Sequence, residues 1–287
     1  MTNSPIAKQQ LLQALELLSQ ISNDDWLAGL GGRKLAELEF HNRDRDKEFT
    51  AKLPHDTYEQ LHGNKKFYNT VQLSSAYVDT WIRQHSKGRI FLDYACGNGF
   101  NAVKAAKAGA DLAIGLDISD ISIKNAQQCA KEKGISENTY FIQGDCENTR
   151  LPNECIDVCI CSGMLHHLDL SFAFPELRRI LKPGGVILAV EALDYNPLIK
   201  LYRTLTPQMR TEWEKAHILS YKDIIFAKRF FAVKEIKHWH LFSVAGVYMP
   251  FALPLFNVID NVVLRLPLVK MMSWMFTFEL HKSSDTR

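Results

Sequence analysis

In the run LDYACGNGF, residues 92–100, an apolar strand-like segment ends on two closely spaced glycines, Gly97 and Gly99. Glycine lets the backbone approach a ligand closely, and the start of a following helix offers unpaired N–H groups to an anion. Asp117 comes 18 positions after Gly99, at the end of the next strand-like run. A carboxylate there can accept from both hydroxyls of a ribose. The short motif GNGFNA does not choose among ligands: with Ala102 at its third small position it also fits a dinucleotide fingerprint. A tight strand-to-helix turn with no ligand fits it too. A second set of residues suits proton transfer. His166 and His167 follow one strand-like run and Glu191 closes another, and a histidine beside a carboxylate is a pair that can take a proton from an acceptor. The alternative is that one histidine, His167 before His166, only packs or shapes a ligand site.

These residues need a frame that brings strand ends together. Between Arg89 and Leu193 apolar runs alternate with helical patterns. Strands are expected at Ile90–Tyr94, Leu112–Asp117, Thr139–Gln143, Val158–Ser162 and Val186–Glu191, with helices at Asn101–Ala108, Ile121–Glu132 and Phe172–Leu181. Such alternation implies right-handed crossovers and a doubly wound α/β sheet, mainly parallel and covered on both faces. Two more strands are expected at Ala232–Phe242 and Ser273–Lys282, the second placing Trp274, Phe276, Phe278 and Leu280 on one face, for seven in all. Residues 1–85 read as a helical cap, and 86–287 as the α/β domain, with a lid insertion at about 194–230 and an apolar segment at 239–272. Pro183, Gly184 and Gly185 read as a turn before the fifth strand.

Five segments, FLDYACGNGF, IGLDIS, FIQGDCENTRLP, DVCICSGMLHHL and ELRRILKPGGVILAVE, together resemble the class I S-adenosylmethionine (SAM)-dependent methyltransferases, in particular their small-molecule, methyltransferase type 11-like branch. The resemblance covers about residues 65–195. It implies a Rossmann-like seven-stranded fold, SAM as cofactor and S-adenosylhomocysteine as product. It also implies roles. Asp93 would order the turn and help hold the ligand's amino group, with Gly97 and Gly99 lining the methionine side. Asp117 would bind the ribose, Ile118 would pack on adenine, Asp145 would meet the adenine amino group, and Cys146 would add backbone contacts. Ser162 and Gly163 would lie below the sulfonium. Ala95 stands where the family's first motif glycine belongs, which would narrow the turn beside the methionine moiety. Read without the resemblance, Asp117 and Asp145 could simply cap the helices that follow.

For a methyltransferase the histidines acquire a definite task, because a hydroxyl acceptor must lose its proton as the methyl arrives. O-methylation of a partly apolar small molecule, with His166 or His167 as base and Glu191 beside it, is the favoured expectation. A carboxylate acceptor needs no base; Arg203 and Arg210, in the lid, would then grip it. N- or C-methylation, a Rossmann oxidoreductase and a non-catalytic SAM-fold partner protein are the alternatives. SGMLHH lacks the Asn/Asp-Pro-Pro-aromatic run of enzymes that methylate amino groups of DNA or glutamine. Tyr68 is expected to reach over the ligand from the N-terminal helices.

Composition narrows the partners. Net charge is +2, from 34 basic and 32 acidic residues spread along the chain, so no field for nucleic acid is expected. Met1–Gln10 has neither an apolar signal core nor an Arg-rich amphipathic pattern, which together with six cysteines suited to reduced core positions suggests the cytoplasm. Cys159 and Cys161 alternate along a strand, a poor spacing for one metal, and no metal site is expected. Trp239–Val258 carries no Asp, Glu, Lys or Arg, yet Pro250 and Pro254 argue against one spanning helix. A pocket wall or an oligomer interface is expected there, in preference to peripheral membrane contact.

Overall fold

The computed structural model describes residues 5–284; the first four residues of the Met1–Gln10 stretch lie outside them. Six α-helices precede the sheet: α1 (Pro5–Ser19), α2 (Asn23–Ala28), α3 (Gly32–Arg45), α4 (Lys47–Lys52), α5 (His55–His62) and α6 (Gln72–Ser86). The central part runs β1 (Ile90–Tyr94), α7 (Phe100–Lys107), β2 (Leu112–Asp117), α8 (Asp120–Glu132), β3 (Thr139–Gln143), β4 (Ile156–Ser162), α9 (Leu170–Ile180) and β5 (Leu181–Ala192). It continues through α10 (Pro197–Leu205), α11 (Glu212–Ala216), α12 (Tyr221–Ala227), β6 (Ala232–Trp239), α13 (Leu253–Val263) and β7 (Met275–His281).

The strands form one seven-stranded sheet in the order β3-β2-β1-β4-β5-β7-β6, parallel except for β7, which is antiparallel to both neighbours. The facing of side chains follows from burial. Ile90, Leu92 and Tyr94 face one core, shared with α1, α9 and α12, while Phe91 faces the other, shared with α6, α7 and α8. A strand covered on both faces has no polar side, which is why these runs read as continuous apolar blocks. The order reverses between β1 and β4, so the two chain halves part there and leave a crevice at the carboxyl ends of the strands.

Three expectations shift in detail. Strand β5 begins at Leu181, and the Pro183–Gly185 stretch, expected as a turn before it, interrupts the β4–β5 register instead: Ile156 pairs with Leu181, but Val158 pairs with Val186. Strand β6 stops at Trp239 because the buried Asp260 carboxylate takes the N–H groups of Leu241, Phe242 and Ser243 and turns the chain away. The N-terminal segment is bound into the α/β core: Leu11, Leu15 and Leu18 of α1 pack with the sheet, and Trp81 of α6 donates its indole N–H to Glu279 at 2.7 Å. Among the described residues no helix is long and apolar enough to cross a membrane.

Candidate active site

At the carboxyl edge, Ala95, Gly97 and Gly99 all have positive φ, of 54°, 51° and 74°. Ala95 therefore keeps the backbone of the glycine it replaces, at a cost of about 1–2 kcal/mol for its Cβ in the left-handed region. Asp93 holds this turn from below: its carboxylate accepts from the Ala102 N–H at 3.1 Å, at the first turn of α7. Burial pushes the Asp93 carboxyl up to about 7 against the pull of that bond. Asp117 holds it from the side, one oxygen accepting from the Gly97 N–H at 2.8 Å and the other from the Ser119 N–H at 2.9 Å. Burial raises its pKa above the usual carboxylate range, with the two N–H groups and Arg45 opposing. Each oxygen has a second lone pair left for a ligand hydroxyl.

A cavity opens beside this turn, lined by Ala95, Asp117, Ile118, Asp145, Cys146, Ser162 and Gly163. All seven were expected on the cofactor, and the fold brings them together. A longer cavity adjoins it and carries Tyr68, Asp93, Gly97 and His166, with His167, Ser162 and Gly163 common to both. Gly99 lines neither. A Cβ there would stand 2.7 Å from both the Ala126 Cβ and the Phe141 ring, so Gly99 serves the packing of the turn on α8 and β3. The Cys146 carbonyl accepts from the Tyr94 hydroxyl, which removes one of the backbone groups expected to face a ligand.

The other wall is α3, read from sequence only as part of a charged stretch. Its residues 33, 37, 41 and 45 recur every four positions and so lie along one face. Arg33 pairs with Glu147 and donates to the His167 carbonyl at 2.9 Å; Lys34 lies 2.5 Å from Asp145 and 2.9 Å from Glu147. Asp145 was expected to meet an adenine amino group, and Lys34 already stands on one of its oxygens. Arg45 crosses over Gly97, its guanidinium 2.0 Å from where a Cβ would be. The four-residue repeat of chargeable groups at Arg33, Glu37, His41 and Arg45 was the available signal.

Beside the two histidines, the fully buried Glu191 organises the loop after β4. One of its oxygens accepts from the N–H groups of Met164 and Leu165 at 2.9 and 2.8 Å, and the other lies 2.7 Å from His166 Nδ1. A carboxylate only accepts, so Nδ1 carries the proton and neutral His166 presents an unprotonated Nε2. Burial disfavours the cation, but the charge and hydrogen bond of Glu191, helped by Glu214, prevail, and His166 has a pKa above the ordinary histidine value. His167 uses Nδ1 on Glu37 at 2.9 Å and packs edge-on against His41, ring centroids 4.7 Å apart. Burial, with His167, Arg45 and His166 close by, holds His41 well below the usual pKa. Glu37, His41 and His167 place donor atoms within 4.8 Å of one another, as do His166, His167 and Glu214, distances a metal ion can bridge. The hydrogen bonds to Glu191 and Glu37 occupy Nδ1 of His166 and of His167 and leave Nε2 of each ring open.

A sequence profile of the methyltransferase domain family matches residues 92–189, the stretch from β1 through most of β5. Residues 92–189 thus match a methyltransferase domain, set in a sheet with the class I SAM-dependent methyltransferase fold. The chain is 33% identical over 101 residues to the sterol 24-C-methyltransferase erg6 of Aspergillus fumigatus, covering 35% of this chain and 27% of that protein. It is also 33% identical over 110 residues to a ubiquinone biosynthesis O-methyltransferase of Methylococcus capsulatus, covering 37% and 46%. The chain thus spans less than half the length of these curated relatives. Among solved structures, geranyl diphosphate C-methyltransferase from Streptomyces coelicolor A3(2) shares the fold with a TM-score of 0.62 at 14% identity, over 89% of this chain and 99% of that one.

Two expected residues stand apart from both cavities of the methyltransferase domain. Arg203 and Arg210 line a separate cleft with Asp194, Lys200 and Lys215. Arg203 Nη1 lies 3.6 Å from Asp194 and has no hydrogen-bond partner; burial and the nearby Arg210 lower its pKa. Arg210 donates to the Thr206 carbonyl at 3.0 Å. Helix α10 turns its apolar stripe outward and the 13%-exposed Arg203 inward, and Arg210 lies 3.5 Å from Glu214, a residue of the longer cavity's wall, so both cations sit behind that wall and are engaged by Asp194, Thr206 and Glu214. The six cysteines are free thiols, five of them buried, and Cys159 and Cys161 face the core.

Proposed function

We propose that this chain is a SAM-dependent methyltransferase that methylates a hydroxyl of a partly apolar small molecule, with His166 as the general base. The observation that carries the reading is the Glu191–His166 pair beside the glycine turn: its Nδ1 is fixed and its Nε2 is unprotonated at a cavity wall. The residues fit the cofactor. Asp117 has lone pairs for a ribose, Ile118 and Cys146 flank a slot for adenine, and Arg45 above Gly97 supplies a cation for the methionine carboxylate. SAM, when bound, supplies an electrophilic methyl group. The protein's part would be to hold the acceptor hydroxyl beside that methyl group and to take its proton on His166 Nε2. Glu191 positions the ring and stabilises the imidazolium that results.

Leu61, Met209, Trp274 and Met275 give the longer cavity apolar walls, which suits a partly apolar acceptor. The names of the relatives point the same way, to a sterol, ubiquinone biosynthesis and geranyl diphosphate. Arg203 and Arg210 line another cleft and already engage Asp194, Thr206 and Glu214, which favours a hydroxyl over a carboxylate acceptor. Six free thiols suit the cytoplasm, where we place the protein. Mass spectrometry of the nucleoside ligand that co-purifies tests the reading: SAM or S-adenosylhomocysteine is expected, and retained NADH would replace it with an oxidoreductase.

A further inference from the structure

Segment 239–272, expected as a pocket wall or an interface between copies, lines neither cavity. It is broken into the end of β6, short 3-10 turns at Ser243–Val247 and Pro250–Ala252, and α13. On α13, Leu255, Val258 and Val262 succeed one another by three and four residues, so they form one stripe, and each is about 60% exposed. On α10, Leu198, Leu201 and Leu205 form a second stripe of the same spacing, 56–75% exposed. Phe251 and Leu268, just outside α13, are the most exposed large apolar residues of the segment, at 83% and 82%.

The elements that carry the two stripes are tied together. The α10 N-cap, Asn196, donates to the Met272 carbonyl at 2.6 Å, and Phe67 packs edge-on against Tyr202 of α10, Tyr248 and Trp274. Trp274 is also a wall of the acceptor cavity, so the apolar surface reaches the mouth of that cavity. Its charge is one-signed. From Leu241 to Trp274 the residues charged at neutral pH are Asp260, Arg265 and Lys270; Asp260 is buried on its three N–H donors, leaving only cations outside.

We propose that the α10–α13 face docks on a lipid bilayer that carries anionic headgroups. Single apolar side chains standing well out of the surface, with Arg265 and Lys270 among those of the α13 segment and no exposed acid between Leu241 and Trp274, match the boundary between acyl chains and negative headgroups. A two-fold contact through the α13 segment would bury Arg265 and Lys270 with no exposed acid of that segment to pair them. No helix of the described residues is built to cross the bilayer, so the contact is peripheral. The docking does not depend on methyl transfer.

Co-sedimentation of the full chain with phosphatidylcholine vesicles, with and without phosphatidylglycerol, tests it. The wild type is expected to pellet with the anionic vesicles. Val258→Asp/Val262→Asp alters only exposed positions and should weaken vesicle binding about tenfold or more, since burial of each large apolar side chain is worth that or better. Arg265→Gln/Lys270→Gln should remove most of the preference for phosphatidylglycerol. Circular dichroism and SAM affinity should be unchanged in both pairs, which separates this outcome from any failure of the cofactor reading. Wild-type protein left in the supernatant, or Asp variants that bind as well as wild type, would overturn the proposal. So would a wild-type dimer that the Asp pair converts to monomer without either form binding vesicles.

Discussion

Replacing Asp117 separates a clamp on the fold from a grip on the ligand. Its two oxygens accept from the N–H groups of Gly97 and Ser119 at 2.8 and 2.9 Å, inside a site where the residue is 7% exposed. Asp117→Asn keeps one acceptor and turns an NH₂ toward the other N–H donor. A hydrogen bond to a charged group contributes about 1.5–3 kcal/mol. The cost of burying the charge, visible in the raised pKa, offsets part of this, so a net loss of about 1–2 kcal/mol is expected. In a chain of this size that lowers Tm by roughly 2–8 °C in calorimetry. If the same carboxylate also holds the ribose, SAM binding weakens by about 1.5–3 kcal/mol, or roughly 10- to 150-fold in Kd by titration calorimetry. Asp120→Ala, at an exposed ion pair with Lys124 at the start of α8, is the control and should leave Kd unchanged. A folded Asp117→Asn protein with lowered Tm and unaltered Kd would show that the residue is a turn clamp alone, and would refute its placement on the ribose.

Two contrasts follow from the glycines and from α3. Gly99→Ala puts a Cβ 2.7 Å from Ala126 and Phe141 at a φ of 74°, and should cost about 2–5 kcal/mol of stability, read as a large drop in Tm. Gly163→Ala has a φ of 64° but nothing within 4 Å, so it should cost only about 1–2 kcal/mol of stability while weakening SAM, whose expected place it lines. Arg45→Gln should raise Kd about tenfold or more for SAM and S-adenosylhomocysteine but not for adenosine, which lacks the methionine carboxylate. Equal effects on all three ligands would place Arg45 elsewhere.

Much of this site was legible because the sheet converts sequence spacing directly into position. Once β1, β2, β4 and β5 are recognised as parallel strands, Asp93, Asp117, Ser162 and Glu191 must fall at or near one edge, and they do. Glu191 was expected near both histidines, yet only the three-dimensional turn at 165–167 decides that His166 takes it and His167 takes Glu37. Helix α3 was not legible as part of the site. A helix with chargeable groups every four residues looks the same in sequence whether that face meets water or a crevice, and the partners of Lys34 and Glu37 lie more than a hundred positions away. Arg203 and Arg210 were legible as cations but not in their partners: the outward apolar stripe of α10 turns Arg203 toward Asp194, and Arg210, beyond that helix, is taken by Thr206 and Glu214. Gly99 carried the right residue type for a ligand turn and serves packing instead.

The central claim, that Glu191 readies His166 to take a proton during methyl transfer, is tested most directly by the pH dependence of transfer of a labelled methyl from SAM to an accepted hydroxyl compound. Because the pKa of His166 is raised and only its neutral form can accept a proton, the wild-type rate should rise with pH through a midpoint above the ordinary value near 6.5 and then level. Glu191→Gln should move that midpoint to lower pH, His167→Ala should leave most of the rate, and His166→Ala should lower kcat by about 10²–10⁴ with SAM affinity unchanged. A His166→Ala enzyme that keeps near-full kcat across the pH range would contradict the account.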